Sequence, residues 1–119
     1  MRDHNKLKAF VMADELAIMV YGITMSFPKE EVYGLTSQMR RAVVSVPSNI
    51  VEGCARESQV EYVRFLEIAF SSLRELHYQF GLTCRLGYVK DIIEVEKCNL
   101  KLVETEKVLG ALIRYLRSH

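Results

Sequence analysis

Three short segments of the sequence contain the residue types best suited to chemistry, and none has the spacing of a known catalytic or metal site. Glu75 and His77 are two positions apart, whereas a di-iron bundle needs Glu and His three apart on one helical face. No second His or Cys lies three or four residues from His77, which favours a partly buried polar residue over a metal ligand. Ser71-Ser72 lacks a G-x-S-x-G turn, and Cys54 has no identifiable base. We therefore expect no enzyme activity, no metal and no cofactor.

The composition indicates one ordered helical domain spanning residues 1–119. Half of the residues are apolar and 26% are charged, with only two prolines and six glycines. Cys54, Cys84 and Cys98 share no C-x-x-C spacing, which argues against a disulfide framework and a zinc site. With a net charge of +1, the chain as a whole does not attract a polyanion. A nucleic-acid-binding surface therefore requires basic residues that cluster in one region.

The N-terminal third of the chain predicts a cytoplasmic location. The first residues, MRDHNKLK, are charged and are not followed by a small-residue cleavage site, which argues against secretion. The uncharged apolar run from Leu16 to Ile23 is much shorter than the ~20 residues of a membrane span. We therefore expect no membrane partner.

The first predicted helix runs from about Leu7 to Ser26 and ends before Pro28, because the residue before a proline avoids the α region. Apolar residues with spacings of four and seven predict its buried row, which consists of Leu7, Val11, Ile18 and Met25. Phe10, Ala17 and Tyr21 occupy neighbouring positions. Asp14 interrupts the row and is expected to face solvent.

The second predicted helix, Leu35 to Gly53, carries two apolar rows and organises the remainder of the chain. The first row alternates four and three residues and is expected to face the core: Met39, Val43, Val46 and Ile50. A single core cannot bury the second row as well, so we predict that it is an oligomer interface: Arg40, Val44, Pro47 and Val51. Thr36 or Ser37 is expected to cap the start of this helix, and Gly53 to cap its end in the left-handed conformation.

The second half of the chain predicts two long helices. Ser58 and Glu61 form a capping-box pattern before a long row with spacings of four and three: Tyr62, Leu66, Ala69, Leu73, Leu76, Phe80 and Thr83. Gly87 is expected to end this helix, and Asp91 with Glu94 to begin the fourth. The fourth helix is expected to be more exposed, because polar residues interrupt its row of Val95, Leu102, Leu109 and Leu116. Four helices with short links predict an all-α, antiparallel up-down-up-down bundle.

The segment from Phe27 to Tyr88 resembles the family of 23S ribosomal RNA intervening-sequence proteins. The matching segments are FPKEEVYGLTSQMRRAVVSVPSNIVEG (Phe27 to Gly53), Ala55-Arg56, EYVRFLEIAFSSLRELHYQF (Glu61 to Phe80) and Leu86-Gly87-Tyr88. The resemblance implies an antiparallel four-helix protomer that closes into rings, typically homopentamers, with no known enzyme activity. A related protein, the accessory variability determinant of diversity-generating retroelements, binds nucleic acid and a reverse transcriptase through a basic surface. By analogy this supports an adaptor that joins RNA or DNA to a protein partner.

Basic residues are expected to gather at one end of the predicted bundle, where the N-terminus, the link between helices two and three, and the C-terminus meet. They are Arg2, Lys6, Lys8, Arg56, Arg114 and Arg117. Repeated around a ring, they would form a basic collar that contacts several phosphates. The alternatives are a pair of solvated termini and a protein-interaction scaffold that binds no nucleic acid.

Overall fold

The computed structural model describes residues 2–119, and within them the chain forms four α-helices and no strand. Helix α1 spans Lys8–Thr24, α2 Leu35–Cys54, α3 Gln59–Arg85 and α4 Ile92–Ser118. Short 3-10 helices at His4–Lys6 and Lys29–Glu31 precede α1 and α2. The predicted all-α class and the number of helices are confirmed.

The four helices form a bundle around one shared core. Within residues 2–119 each helix packs against the next and α4 packs back on α1, whereas the Cα atoms of the two diagonal pairs stay more than 8 Å apart. The contact between α2 and α3 is the most extensive. Helices of 27 residues are about 40 Å long at a rise of 1.5 Å per residue, which accounts for the 44 Å long axis of the molecule.

The core rows predicted for α2 and α3 are confirmed. Met39, Val43, Val46 and Ile50 are fully buried, and the α3 row from Tyr62 to Thr83 is buried throughout. Helix α4 is more exposed, as predicted, because Val95 and Leu116 of its row are only partly buried. No helix within residues 2–119 combines the length and apolar character needed to cross a membrane.

The predicted buried row of α1 is wrong. Val11, Ile18 and Met25 are exposed by 45%, 74% and 81%. The core instead receives a row offset around the helix: Ala9, Met12, Ala13, Leu16, Val20 and Ile23. Because α1 is apolar on nearly every side, periodicity alone could not distinguish the two rows, and the small alanines contribute to the one that is buried. Asp14 is exposed, as expected.

The N-terminus of α2 is capped differently from the prediction. Neither Thr36 nor Ser37 is the cap, because the helix already begins at Leu35. The Glu31 carboxylate accepts a hydrogen bond from the Leu35 backbone N–H at 3.0 Å and another from the Tyr88 hydroxyl at 2.8 Å. These two hydrogen bonds lower the pKa of Glu31. One carboxylate therefore caps α2 and ties it to the segment after α3.

The prediction for Gly53 is also wrong, because this glycine lies inside α2 and does not have a positive φ. A Cβ at position 53 would lie 3.0 Å from the Phe65 Cβ and 3.2 Å from the Tyr62 carbonyl oxygen. Glycine is needed there because α3 approaches α2 closely and leaves no room for a side chain. A left-handed backbone conformation is not the reason. Gly87 does end α3 in the left-handed region, with a φ of 80°.

Ser58 and Asp91 begin α3 and α4 as the sequence predicts. The Ser58 hydroxyl accepts from the Glu61 backbone N–H at 3.1 Å, and the Asp91 carboxylate accepts from that of Ile93 at 3.0 Å. These bonds satisfy N–H groups that have no partner within the first helical turn.

Candidate nucleic-acid interface

Three chain segments meet at the end of the bundle where α2 ends and α3 begins. The Arg2 backbone N–H donates to the Cys54 carbonyl at 3.2 Å, which places the N-terminal residues beside the end of α2. The Gln59 side-chain amide donates to the Leu116 carbonyl at 2.9 Å, which joins the start of α3 to the last turns of α4. The basic residues of these segments therefore occupy the same end of the molecule, and we call this set the basic end: Arg2, Lys6, Lys8, Arg56, Arg114 and Arg117.

Arg2 and Arg56 lie on aromatic rings at the basic end. The Arg2 guanidinium is 4.1 Å from the centre of the Tyr62 ring, and its Nη1 donates to the Arg56 carbonyl at 2.7 Å. The Arg56 guanidinium is 4.7 Å from the centre of the Phe65 ring. Stacking on a ring orders a guanidinium while it keeps its charge. Arg56 is exposed and Arg2 is partly buried, so Arg56 is the more accessible to a phosphate.

Arg114 and Arg117 lie beside a cleft of about 320 Å³ between α3 and α4. Arg117 forms an ion pair with Glu67, and both side chains are about half exposed. Arg114 also lines the cleft, near Gly110 and Phe70, and has no ion-pair partner within residues 2–119. Of the two, only Arg117 must break or share an existing pair in order to contact a phosphate.

Lys6 and Lys8 complete the basic end, and both are exposed. The ion pairs in the described part of the chain include neither of them. Their ammonium groups are therefore available to a polyanion without loss of an internal contact.

The second predicted row begins at the junction of α1 and α2. Arg40 is held there, because its Nε donates to the Thr24 hydroxyl at 2.8 Å and its guanidinium lies 4.7 Å from the centre of the Tyr21 ring. Val44 and Val51 are exposed by 40% and 36%, and Pro47 is partly buried. The two valines of the row are thus open to solvent, whereas Arg40 belongs to the contact between the two helices.

The side chains considered for catalysis or metal binding are either bonded to neighbours in the fold or buried. The His77 Nδ1 lies 2.9 Å from a Glu106 carboxylate oxygen, which also accepts from Arg74 Nη1 at 2.9 Å. This cluster links α3 to α4. Within residues 2–119 no group of three or more His, Cys, Asp or Glu side chains could hold a metal ion. Burial raises the pKa of Cys54, and it raises the pKa of Cys98 to about 12, which keeps both thiols protonated at neutral pH.

Sequence reasoning missed the partners of the basic residues and the exposed face of α1. Glu67 lies 50 positions from Arg117, and Tyr62 is further still from Arg2, so no local pattern connects them. One signal was available for α1, because the residues from Leu16 to Met25 are all uncharged. Such a stretch supplies apolar side chains to the outer face of a helix as well as to the core.

The fold and the site define a four-helix bundle with a basic end and an exposed apolar row. The model of the 23S rRNA-intervening sequence protein family matches residues 5–111, and the chain belongs to this family. Its fold is similar to that of a crystal structure from Bacteroides thetaiotaomicron VPI-5482, a protein of unknown function from the S23 ribosomal protein family. The TM-score is 0.80 at 22% sequence identity, over 89% of this chain and 95% of that chain. No protein with a curated description matches this chain.

Proposed function

We propose that the protein is a noncatalytic bundle that self-associates and binds RNA or DNA through phosphate contacts at its basic end, as an adaptor for a protein partner. Its helices run antiparallel in up-down-up-down order, and it acts as a single domain in the cytoplasm. The free cysteines support a reducing compartment, because disulfides are rare there.

Contacts at both ends of the bundle support the antiparallel order. The start of the chain meets the end of α2 through Arg2 and Cys54, and the start of α3 meets the last turns of α4 through Gln59 and Leu116. At the other end the rings of Phe27 and Tyr88, which follow α1 and α3, lie 5.5 Å apart. Short links between neighbouring helices favour the same order.

The observation that carries the nucleic-acid proposal is that most of the basic side chains at the basic end are exposed and form no ion pair within the described residues. Lys6, Lys8, Arg56 and Arg114 are exposed and form no ion pair within residues 2–119, whereas Arg117 is paired. Each exposed cation can replace a counterion on a phosphate, and a ring of protomers multiplies the number of such contacts. A pentamer is the ring size that the family resemblance implies.

A second candidate, a protein-interaction scaffold without nucleic acid, is favoured by the exposed apolar row. Val44 and Val51 expose apolar surface that a partner could bury. The same row supports self-association, so the two candidates differ only in whether the basic end binds phosphates.

Fluorescence anisotropy with labelled RNA and DNA separates the two candidates. We expect binding to two unrelated sequences with similar affinity, and a steep loss of affinity between about 50 and 200 mM salt, of the kind that counterion release produces. No binding at the lower salt concentration would favour the scaffold. Light scattering on Val44→Glu tests the association separately. This variant should dissociate while its circular dichroism is retained, because the charge enters the row and not the core.

A further inference from the structure

The cleft of about 320 Å³ between α3 and α4 contains more than the charged groups that phosphate contact needs. Its lining combines an aromatic ring, a hydroxyl, a carboxylate and two guanidinium groups, from Phe70, Ser71, Glu67, Arg114 and Arg117. Clefts of about 300 Å³ or more that combine apolar walls with a few polar groups are typical of small-molecule sites. The lining therefore suits a flat ligand group as well as a negative charge.

The Phe70 ring and the Arg114 guanidinium border the same space. Both lie beside Gly110, because a Cβ at that position would be 3.5 Å from Phe70 Cε2 and 3.3 Å from Arg114 Nη1. Phe70 is only partly buried, so the core does not cover it completely. Glycine at position 110 leaves this space free, although alanine would favour the helix. An aromatic ligand group can therefore lie against Phe70 while Arg114 contacts an anion attached to it.

The charge of the cleft favours an anionic ligand. Its acidic residue, Glu67, is already paired with Arg117. Arg114 is exposed and forms no ion pair within residues 2–119, so its charge is not compensated. The Ser71 side chain is exposed, and its hydroxyl can donate to a ligand or accept from it. A nucleotide matches this set of groups, because it joins a flat aromatic base to a phosphate.

The cleft continues beyond the Glu67–Arg117 pair. A groove of about 670 Å³ extends toward the start of α3, and both members of the pair line it as well. Arg64 also lines this groove, is exposed and forms no ion pair in the described part of the chain. A nucleic-acid strand can therefore pass from the cleft into the groove, with Arg114 and Arg64 beside different phosphates.

We propose that the α3–α4 cleft holds one unpaired base of a single-stranded nucleic acid against Phe70, with the phosphate of that nucleotide at Arg114. This inference rests on the proposed function, and it names the class of nucleic acid that the basic end takes. In a duplex the bases are paired and stacked, so only their edges and the phosphates reach a protein. Stacking on an aromatic side chain tolerates any sequence, because every base has a π face.

Two strands of equal charge separate base contact from phosphate contact. The first is a labelled single strand of mixed sequence, and the second is an abasic strand with the same number of phosphates. In fluorescence anisotropy at one salt concentration, the wild-type protein should bind the strand with bases at least about fivefold more tightly, because base stacking on an aromatic side chain adds to phosphate contact. We call this ratio of affinities the base dependence.

Phe70→Leu should reduce the base dependence to less than about twofold, because leucine keeps the apolar bulk and removes the ring. It should leave binding of the abasic strand and of a duplex unchanged, since every basic residue remains. The matched control is Tyr78→Leu, which removes an exposed aromatic ring of α3 outside the cleft and should preserve the base dependence.

Gly110→Leu is a second variant that leaves Phe70 in place. Leucine favours the helix, and its side chain would fill the space beside Phe70 and Arg114. This variant should also lose the base dependence while its circular dichroism is retained. A folded Phe70→Leu or Gly110→Leu protein with the full base dependence would overturn the cleft as the site.

The proposed function and this inference fail in different ways. Equal, salt-dependent affinity of the wild-type protein for the two strands would overturn the base contact and leave phosphate binding by the basic end in place. No binding of either strand, or of a duplex, at about 50 mM salt would overturn both.

Discussion

Replacing Arg114 and Arg117 by serine tests whether the basic end contacts phosphates. Each lost contact reduces the slope of log affinity against log salt by about 0.9 on duplex DNA, so the double variant should lose about 1.8 of slope. Over a roughly fourfold change in salt, from about 50 to 200 mM, the wild-type protein should therefore lose about twelvefold more affinity than the variant. Arg114 should account for more of the lost slope than Arg117, because Arg117 is already paired with Glu67.

The effect on stability must be measured alongside binding. Both arginines lie in the last turns of α4, where positive charge complements the helix dipole by about 0.3–1 kcal/mol per residue. The half-exposed Arg117–Glu67 pair adds at most about 1 kcal/mol. The matched control, Arg85→Ser with Lys90→Ser, removes the same charge at the opposite end, and Arg85 also lies in the last turn of its helix. Equal salt slopes for the folded double variant and the wild-type protein would refute phosphate contact by these two residues.

Three further substitutions test individual contacts. Gly53→Ala should lower the free energy of unfolding in urea by about 1–3 kcal/mol, because its Cβ would lie 3.0 Å from that of Phe65. The control Gly81→Ala, whose Cβ would enter open space, should raise it by about 0.5–1 kcal/mol. Equal effects of the two substitutions would contradict the close approach at Gly53. Hydrogen bonds lower the pKa of Glu31 in the folded state, so its stabilisation is present at neutral pH and is lost as the pH falls through that lowered value. Glu31→Gln should therefore unfold more easily at neutral pH and lose less stability on acidification, and parallel pH profiles would show that this cap contributes nothing. Glu67→Gln should free Arg117 and strengthen nucleic-acid binding in anisotropy, and weaker binding would show that Glu67 orients the arginine productively.

The sequence predicted the buried rows whose spacing alternates regularly between four and three residues. Met39 to Ile50 in α2 and Tyr62 to Thr83 in α3 both follow this spacing, and both rows are buried. Helix α1 has apolar residues on nearly all sides, and the choice between Leu16 and Ile18 as a core residue depends on where α2 and α4 lie. Contacts between distant helices set that choice, and local spacing does not contain them.

The same limit applies to caps and to the basic end. Ser58 and Asp91 cap their helices with their own side chains, and both were predicted. The cap of α2 depends on Glu31, whose position is held by Tyr88, 57 residues away. Chain topology predicted that Arg2 and Arg117 would reach one end, but the Tyr62 ring and the Glu67 carboxylate that engage them became evident only in three dimensions.

The salt dependence of nucleic-acid binding by the assembled protein, compared with that of Val44→Glu, tests most directly whether assembly creates the phosphate-binding surface. Val44 lies in the middle of α2, away from the basic end, so its substitution should remove assembly and leave each basic end intact. We predict a slope of log affinity against log salt that is several times steeper for the wild-type protein, because several protomers release counterions together. Equal slopes for the wild-type protein and a folded, dissociated variant, or wild-type binding that does not depend on salt, would contradict this account.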